Sequence, residues 1–293
     1  MADQKVVLIT GACSGIGLAT ARLLAERGWR VFGTSHRPAE ARAKGRDVLD
    51  LDVTDDGSVQ RAVEGVLRQA GRLDALVNNA GVGLMGPGEE TSLEQARAVF
   101  EVNFFGAVRM IQATLPVFRA QGGGRIVLVG SLAGLVGLPF ESLYCASKAA
   151  LEGYAQALRQ ELTLLGVKLC LVEPGMIRTP FYDRLIWAHP RLPEYRAVWP
   201  QTQRALAAIV AQGGRPEGVA RVIVRCLEHP SPPLRNPAGR DAVWLARLRC
   251  WLPEAWLTAA LRWHFQRLGR APAGRETPSA GREAAVDVPA DDR

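Results

Sequence analysis

Six short apolar runs alternate along the chain with segments whose apolar residues recur every three or four positions. The runs are KVVLIT (5–10), WRVFGTS (29–35), RDVLDLDV (46–53), LDALVNN (73–79), GGGRIVLVGS (122–131) and VKLCLVEPG (167–175). Near-continuous apolar runs suit strands buried on both faces, and helical periods between them suit crossovers packed over a sheet. The predicted fold is α/β: a Rossmann-like, doubly wound parallel sheet with helices on both faces, plus a C-terminal helical extension.

The helical segments carry their own punctuation. IGLATARLLAERG follows the first run directly, and TDDGSVQRAVEGVLRQAG follows the third. In the latter Thr54 reads as N-cap, with Asp55 and Asp56 in the first turn, where carboxylates meet the positive end of the helix. A long helical stretch over 92–121 is interrupted near EVNFFGAV, where Asn103 sits in an otherwise apolar run. Its amide can compete for backbone bonds, open the helix and hold a water, or it can simply face solvent. From about 180 to 213 the pattern is irregular and reads as a substrate-covering loop with short helices. RPEGVARVIVRCLEH is amphipathic, and PSPPLRNPAGR reads as a turn cluster. Beyond it, Pro253 divides a segment holding Trp244, Trp251, Trp256 and Trp263 into two helices. The expected units are a catalytic domain over 1–235, a helical extension over 236–270, and a disordered tail over 271–293 rich in Pro, Gly, Ala and charge.

Composition narrows the classes. With 293 residues, 48% of them hydrophobic, the chain can bury a large core. No apolar run reaches the ~18 residues that span a bilayer, and the start lacks a leader's layout, so cytoplasmic residence is expected. Five scattered cysteines without CxxC, and four histidines without ligand spacing, predict neither disulfide framework nor metal. The net charge of +7 comes from arginines spread along the chain rather than clustered, so no nucleic-acid partner is expected.

Two constellations carry chemistry. TGACSGIG, with Gly11, Gly15 and Gly17, lies between a strand and a helix, the context in which a glycine turn admits a phosphate to the helix N-terminus. The second run ends in Ser35-His36-Arg37, with no acid for a ribose 2′-hydroxyl. Hydroxyl, imidazole and guanidinium groups suit a 2′-phosphate, which favours NADP(H) and leaves NAD(H) open; a solvated loop is the plainer alternative. Asp52-Val53 closes the third run, where a carboxylate can accept from an adenine amine, and Asn78-Asn79-Ala80-Gly81 closes the fourth. The second constellation is Ser131, then Tyr144 thirteen residues on, then Lys148 four further. Residues four apart on a helix share a face, and a nearby cation lowers a phenol's pKa towards neutrality, as acid–base catalysis requires.

With TGACSGIG, NNAG, Asn103, Ser131, Tyr144, Lys148 and the Pro174-Gly175 pair in this order, the chain resembles the short-chain dehydrogenase/reductase family over about residues 5–230. The resemblance implies Tyr144 as proton donor or acceptor, Lys148 as the group that lowers its pKa and binds the nicotinamide ribose, Ser131 as orienter of the substrate oxygen, and Asn103 as holder of a relay water. It implies a cofactor cradle of Gly11, Ser14, Gly15, Ile16 and Gly17. Asp52 and Val53 would meet adenine, and Asn79, Ala80 and Gly81 the adjoining ribose. Pro174 and Gly175 would lie beside the nucleotide, with Ile177 and Thr179 at the nicotinamide carboxamide. Relatives that use NADP often carry arginine where His36 stands; here arginine comes one residue later.

VGSLAGLVGLPFESLYCASKAALEG and NAGVGLMGP are similar to the branch holding estradiol 17β-dehydrogenase type 1 and retinol dehydrogenases. That similarity implies a steroid-, retinoid- or lipid-like alcohol or carbonyl as substrate, and a homodimer or homotetramer. A non-catalytic NADP-binding sensor is the alternative class. The Trp-rich end reads as a packed lid, a partner-binding segment, or a helix lying on a membrane surface.

Overall fold

The computed structural model describes residues 4–270 apart from 44, 46, 47 and 250. Cys250 and the tail over 271–293 lie outside the described residues. The strands are β1 (Val6–Ile9), β2 (Arg30–Ser35), β3 (Leu49–Asp50), β4 (Ala75–Asn78), β5 (Leu84–Met85), β6 (Gly124–Val129), β7 (Val167–Pro174), β8 (Ile186–Trp187) and β9 (Arg235–Ala238). The helices are α1 (Gly15–Glu26), α2 (Pro38–Ala43), α3 (Asp56–Ala70), α4 (Leu93–Phe100), α5 (Gly106–Ala120), α6 (Ser142–Leu162), α7 (Pro193–Gln212), α8 (Pro216–Glu228), α9 (Arg240–Leu248) and α10 (Glu254–Arg270).

Seven strands form one parallel sheet in the order β3-β2-β1-β4-β6-β7-β9. The order reverses between β1 and β4, which opens a crevice at the carboxyl ends of the strands, where doubly wound sheets bind ligands. Both faces are dry. One packs Leu8, Leu76, Ile126 and Leu128 against Val63, Ile111 and Leu151 of α3, α5 and α6. The other packs Val7, Ile9, Val77 and Val127 against Leu24 of α1 and Ile223 and Leu227 of α8. Alternate residues of one strand thus serve opposite faces, as the pleat demands.

Several details differ from the sequence reading. Among its described residues the third run pairs only at Leu49–Asp50, although Val48, Leu51 and Val53 are buried. Asp55, not Thr54, caps α3, accepting from the amide of Gly57 at 2.8 Å. The segment read as a turn cluster contains β9. Pro237 is tolerated there because β9 is an edge strand that pairs only with β7. The sheet therefore runs through Ala238, two residues before α9 begins. The irregular region holds one 20-residue helix, α7, with Pro193 at its first turn and Pro200 within it. A two-residue pairing of β5 with β8 fastens the segment before α7 to the loop after β4. Pro253 does separate α9 from α10, and α10 lies against α7.

A buried charge cluster joins α6, β7 and β9. Arg235 Nε lies 2.9 Å from Glu152 Oε2 and 3.6 Å from Glu173 Oε1, with both carboxylates almost wholly buried. Burial, and then the neighbouring Glu152, push the Glu173 carboxyl above its ordinary range. An acid with a raised folded pKa stabilises the fold fully below its ordinary pKa, and that contribution is lost as pH rises through the folded value. Denaturation from about pH 5 to about pH 9 is expected to show stability falling as pH rises, and Glu173→Gln to flatten the decline. An unchanged slope in the variant contradicts this assignment.

Candidate active site

The glycine turn after β1 is held by its neighbour rather than by itself. Thr10 Oγ1 accepts from the amides of Asn79 and Ala80, both at 2.9 Å. Asn79 Nδ2 donates back to the carbonyls of Thr10 and Gly11, at 2.9 and 3.0 Å. The Asn79 side chain is thus committed to the turn, which leaves the main chain of Asn79, Ala80 and Gly81 to face a ribose. Gly11 has φ +67°, a conformation only glycine takes freely. At Gly17 an added carbon would strike the Gly11 carbonyl, so glycine lets α1 approach the strand end. No acid stands in the first turn of α1, and Ser14 at its N-cap makes no side-chain capping bond. The positive helix end is open to an anion.

The rim of the crevice is polar. Ser35 Oγ accepts from the Arg37 amide at 3.0 Å, while the exposed Arg37 guanidinium leans to Glu40 at 3.5 Å. Partial burial and then Arg37 lower the His36 pKa. Asp52 Oδ1 accepts from both the amide and the hydroxyl of Thr54, at 2.9 and 2.8 Å, and Val53 packs buried beside it.

Asn103 is neither solvent-facing nor in a regular helix. It sits in a π turn, Glu101–Phe105, between α4 and α5, with the Gly106 amide donating to Glu101 O. A π turn inserts one residue and re-aims the side chains around it. Asn103 is 2% exposed. Its Oδ1 accepts from Val82 N at 2.9 Å, and its Nδ2 donates to Val82 O at 2.9 Å and Ser147 Oγ at 3.0 Å. Ser147 Oγ in turn donates to Tyr144 O at 2.7 Å. The amide therefore ties the loop after β4 to the first turns of α6. These bonds use the side chain expected to hold a water.

On α6, Tyr144 and Lys148 occupy successive turns of one face. Lys148 Nζ donates to Val129 O at 3.2 Å and lies 5.9 Å from the centre of the Tyr144 ring. Burial lowers the Lys148 pKa to about 8. Ser131, extended just after β6, stands near enough to the Tyr144 phenol to lower its pKa. The lowering of the phenol's pKa expected from Lys148 does not appear, and Lys148 is not among the causes of its shift. Burial pushes Tyr144 upward, the Ser131 hydroxyl pulls it partly back, and the Glu141 carboxyl adds to the rise. The phenol is held protonated. Gly81 completes the junction: a side chain there would crowd Asn103 Oδ1 and Lys148 Nζ.

The far wall comes from the segment after β7. Gly175 N donates to Ala238 O at 3.0 Å, and Met176 N donates to Asp241 Oδ2 at 2.6 Å. The start of the helical extension is thereby bonded to the loop after Pro174. Thr179 lies over Gly15, and Ile177 is buried beneath the loop. Beyond it, Phe181 stands 6.1 Å from the Tyr144 ring, with Tyr182, Leu185, Trp187 and Trp199 continuing an apolar wall around Met85. Among the described residues no group of His, Cys, Asp and Glu could hold a metal.

The short chain dehydrogenase family model matches residues 5–186. The chain belongs to this family. It is an oxidoreductase of the kind that acts on CH–OH groups with NAD(P) as acceptor. Among curated relatives, the short-chain dehydrogenase is 36% identical over 263 residues to a 3-ketodihydrosphingosine reductase of Bacteroides thetaiotaomicron, covering 89% of this chain and 97% of that protein. It is 38% identical to bovine retinol dehydrogenase 8 (87% and 88% covered) and 37% identical to human 17-beta-hydroxysteroid dehydrogenase type 1 (84% and 81%). A short-chain dehydrogenase of Streptomyces avermitilis superposes with a TM-score of 0.74 at 34% identity, covering 89% of this chain and 96% of that one. Solved relatives with NADP (ElxO, 25% identical, TM-score 0.68, 82% and 99% covered) and with NAD (Burkholderia phymatum, 26%, 0.70, 94% and 99%) share the fold.

The residues present fit such a dinucleotide: a cradle that added carbons would fill, and an uncompensated helix end for its pyrophosphate. The structure brings Asn103, Ser131, Tyr144 and Lys148 into one cluster and aligns the glycine turn, Asn79 to Gly81 and Thr179 along one crevice. Glu141, Phe181, Tyr182 and Asp241 were not singled out from sequence. Only Glu141, three residues before Tyr144, had a local signal. Asn103→Ala would leave Val82 and Ser147 short of partners at a buried junction, and a loss of about 1–3 kcal/mol is expected. Chemical denaturation checks this, and a variant as stable as the parent contradicts it.

Proposed function

We propose that this short-chain dehydrogenase uses NADP(H) to interconvert an apolar alcohol, of steroid, retinoid or lipid kind, with its ketone or aldehyde. The observation that carries the reading is the phenol of Tyr144, beside Ser131, one helical turn from Lys148, and opening onto an aromatic wall. A bound nicotinamide supplies or accepts the hydride at the substrate carbon. The Ser131 hydroxyl holds the substrate oxygen, and Tyr144 gives that oxygen its proton. A phenol kept protonated by burial is poised as a donor, which favours carbonyl reduction. Lys148, with its pKa near 8, stays largely protonated at neutral pH, so it can bind a ribose hydroxyl and receive negative charge developing on the phenol. Asn103 positions both through Ser147 and Val82.

Support for NADP(H) is the tip of β2, where Ser35, His36 and Arg37 present no carboxylate to repel a 2′-phosphate. Support for an apolar substrate is the wall of Phe181, Tyr182, Leu185 and Trp199, together with the steroid and retinol named for two relatives. The buried thiols Cys145, Cys170 and Cys226, none in a disulfide, accord with a reducing, cytoplasmic setting. Exposed Leu93 and Phe105 on the α4–α5 face suit a homodimer.

Tyr144→Phe is expected to lower kcat with an apolar ketone by at least ~100-fold while NADPH binding, read by fluorescence titration, stays within about twofold. Retained turnover in the variant contradicts the assigned role. A sensor would bind NADPH and consume none with any ketone.

A second reading concerns the extension, on which Trp244, Trp251, Trp256 and Trp263 are 58–86% exposed. No helix among the described residues is long and apolar enough to cross a membrane. On α10, Leu257 turns inward, while Trp256 and Trp263, seven residues apart, share a stripe with Arg267, whose guanidinium stacks on Trp263 at 5.2 Å. Indole and guanidinium groups together suit the headgroup layer of an anionic membrane. Anionic vesicles are expected to pellet the chain in a salt-sensitive manner, and the double variant Trp256→Ala/Trp263→Ala to bind at least ~10-fold more weakly; equal pelleting contradicts membrane contact.

A further inference from the structure

Behind the turn that carries Ser131, two buried carboxyl groups share one guanidinium. On the α6 face of the sheet, Ile126 and Leu128 of β6 lie in one core with Leu169 and Leu171 of β7. The pleat brings Gly130 and Glu173 to the same face at the next step. The backbones are still joined there, the Gly130 amide donating to Val172 O at 2.8 Å. Glycine leaves room for a side chain from α6, since a carbon added at Gly130 would meet Glu152 Oε1 at 3.5 Å. Glu152 stands one helical turn beyond Lys148 and about two beyond Tyr144. At Gly134 an added carbon would strike Lys148 O at 2.9 Å and meet Glu152 Cγ at 3.3 Å. The Ser131 turn is therefore seated on α6 between the Lys148 carbonyl and the Glu152 side chain.

Glu152 is 6% exposed and Glu173 is 1% exposed. Arg235 Nε reaches Glu152 Oε2 at 2.9 Å and stands 3.6 Å from Glu173 Oε1. Glu152 Oε1 and both carboxyl oxygens of Glu173 are buried without a hydrogen-bond partner. Two full charges against one guanidinium leave a buried excess, which is costly. One proton between the carboxyls removes the excess and supplies the missing donor, as in other carboxylates that share a site. Two cations face Glu173 and oppose that proton: Arg235 of β9, and Arg249 at the end of α9. Burial first, and then Glu152 of α6, outweigh them.

Each carboxyl belongs to one wall of the crevice. Glu152 lies against the Ser131 turn. Glu173 leads through Pro174 to Gly175, whose amide donates to Ala238 O, and Arg235 begins the same edge strand. We propose that Glu152 and Glu173 are positioning residues for the reaction, a pair that, with one shared proton, holds the Ser131 turn in register with the wall at Pro174 and Gly175. The inference rests on the reading above, in which Ser131 holds the substrate oxygen and the dinucleotide lies beside that wall. When the second carboxyl ionises, the two repel and the register loosens. A displacement of about 1 Å can cost ~100-fold in rate. Turnover thus depends on a proton held where neither substrate nor cofactor touches it.

The test uses the full chain and its Glu173→Gln, Glu152→Gln and Glu152→Ala variants. A single glutamine keeps a donor between the two groups, balances Arg235 and cannot ionise. With an apolar ketone and NADPH, the ratio of variant to parent kcat is expected to rise at least ~5-fold from about pH 6 to about pH 9 for either glutamine variant. The titrations of Tyr144 and Lys148 are common to the chains and cancel in the ratio. Glu152→Ala is expected to lower kcat at least ~10-fold near neutral pH, and Glu152→Gln to recover most of that loss. A purely structural role moves the denaturation midpoint and leaves kcat of the folded chain unaltered. A ratio flat in pH, or an alanine variant as fast as the parent, overturns the proposal. Fluorescence and calorimetric titrations give a readout without turnover, comparing the tighter-bound of NADPH and NADH with the matching ADP-ribose, which lacks the nicotinamide. Between the same pH values Glu173→Gln is expected to lose less affinity for the dinucleotide than the parent does, with ADP-ribose alike in both. Where neither chain consumes a ketone, the reaction proposed above fails and this comparison alone decides: identical dinucleotide profiles overturn the positioning role.

Discussion

One buried amide joins the parts of this site that the chain makes far apart. Asn103 bonds both backbone groups of Val82, after β4, and the hydroxyl of Ser147, on α6. The two segments belong to opposite sides of the crevice: one follows the strand beside the glycine turn, the other carries Tyr144 and Lys148. The amide can reach both only because the π turn adds a residue to an otherwise regular helix. A plain α-helix over 92–121 would point that side chain elsewhere, and the offset between cradle and phenol would be unset. The precision that proton transfer needs is small compared with the looseness of a loop.

The same logic explains which features were legible in the sequence. β1, β2, β4, β6 and β7 were visible because strands buried on both faces write apolar runs, and the glycine turn because its neighbours, strand and helix, were readable too. Tyr144 and Lys148 were visible because helix periodicity alone puts them on one face. β9 was hidden: RNPA has almost no apolar content, and it pairs because β7 offers an open edge. The π turn showed only as an interruption. Asn79 had the right place but another task, since a side chain's partners depend on what tertiary packing brings near. The direction of the Tyr144 pKa is the sharpest case. Spacing to Lys148 predicts a fall, but burial comes from tertiary packing that spacing does not describe, and the phenol moves up.

Carboxyl groups fasten this framework at more than one point. Glu152 and Glu173 share Arg235, which fastens α6 to the edge of the sheet. Asp241 holds the amide after Gly175 and so couples the extension to the far wall of the crevice.

The most direct test of the central claim is a crystal structure of the chain with NADP+ bound. The account predicts the pyrophosphate on the N-terminus of α1, the nicotinamide between Thr179 and Tyr144, and the ribose hydroxyls within hydrogen-bond reach of Lys148. A nucleotide bound elsewhere, or a nicotinamide turned away from the Tyr144 phenol, would contradict it.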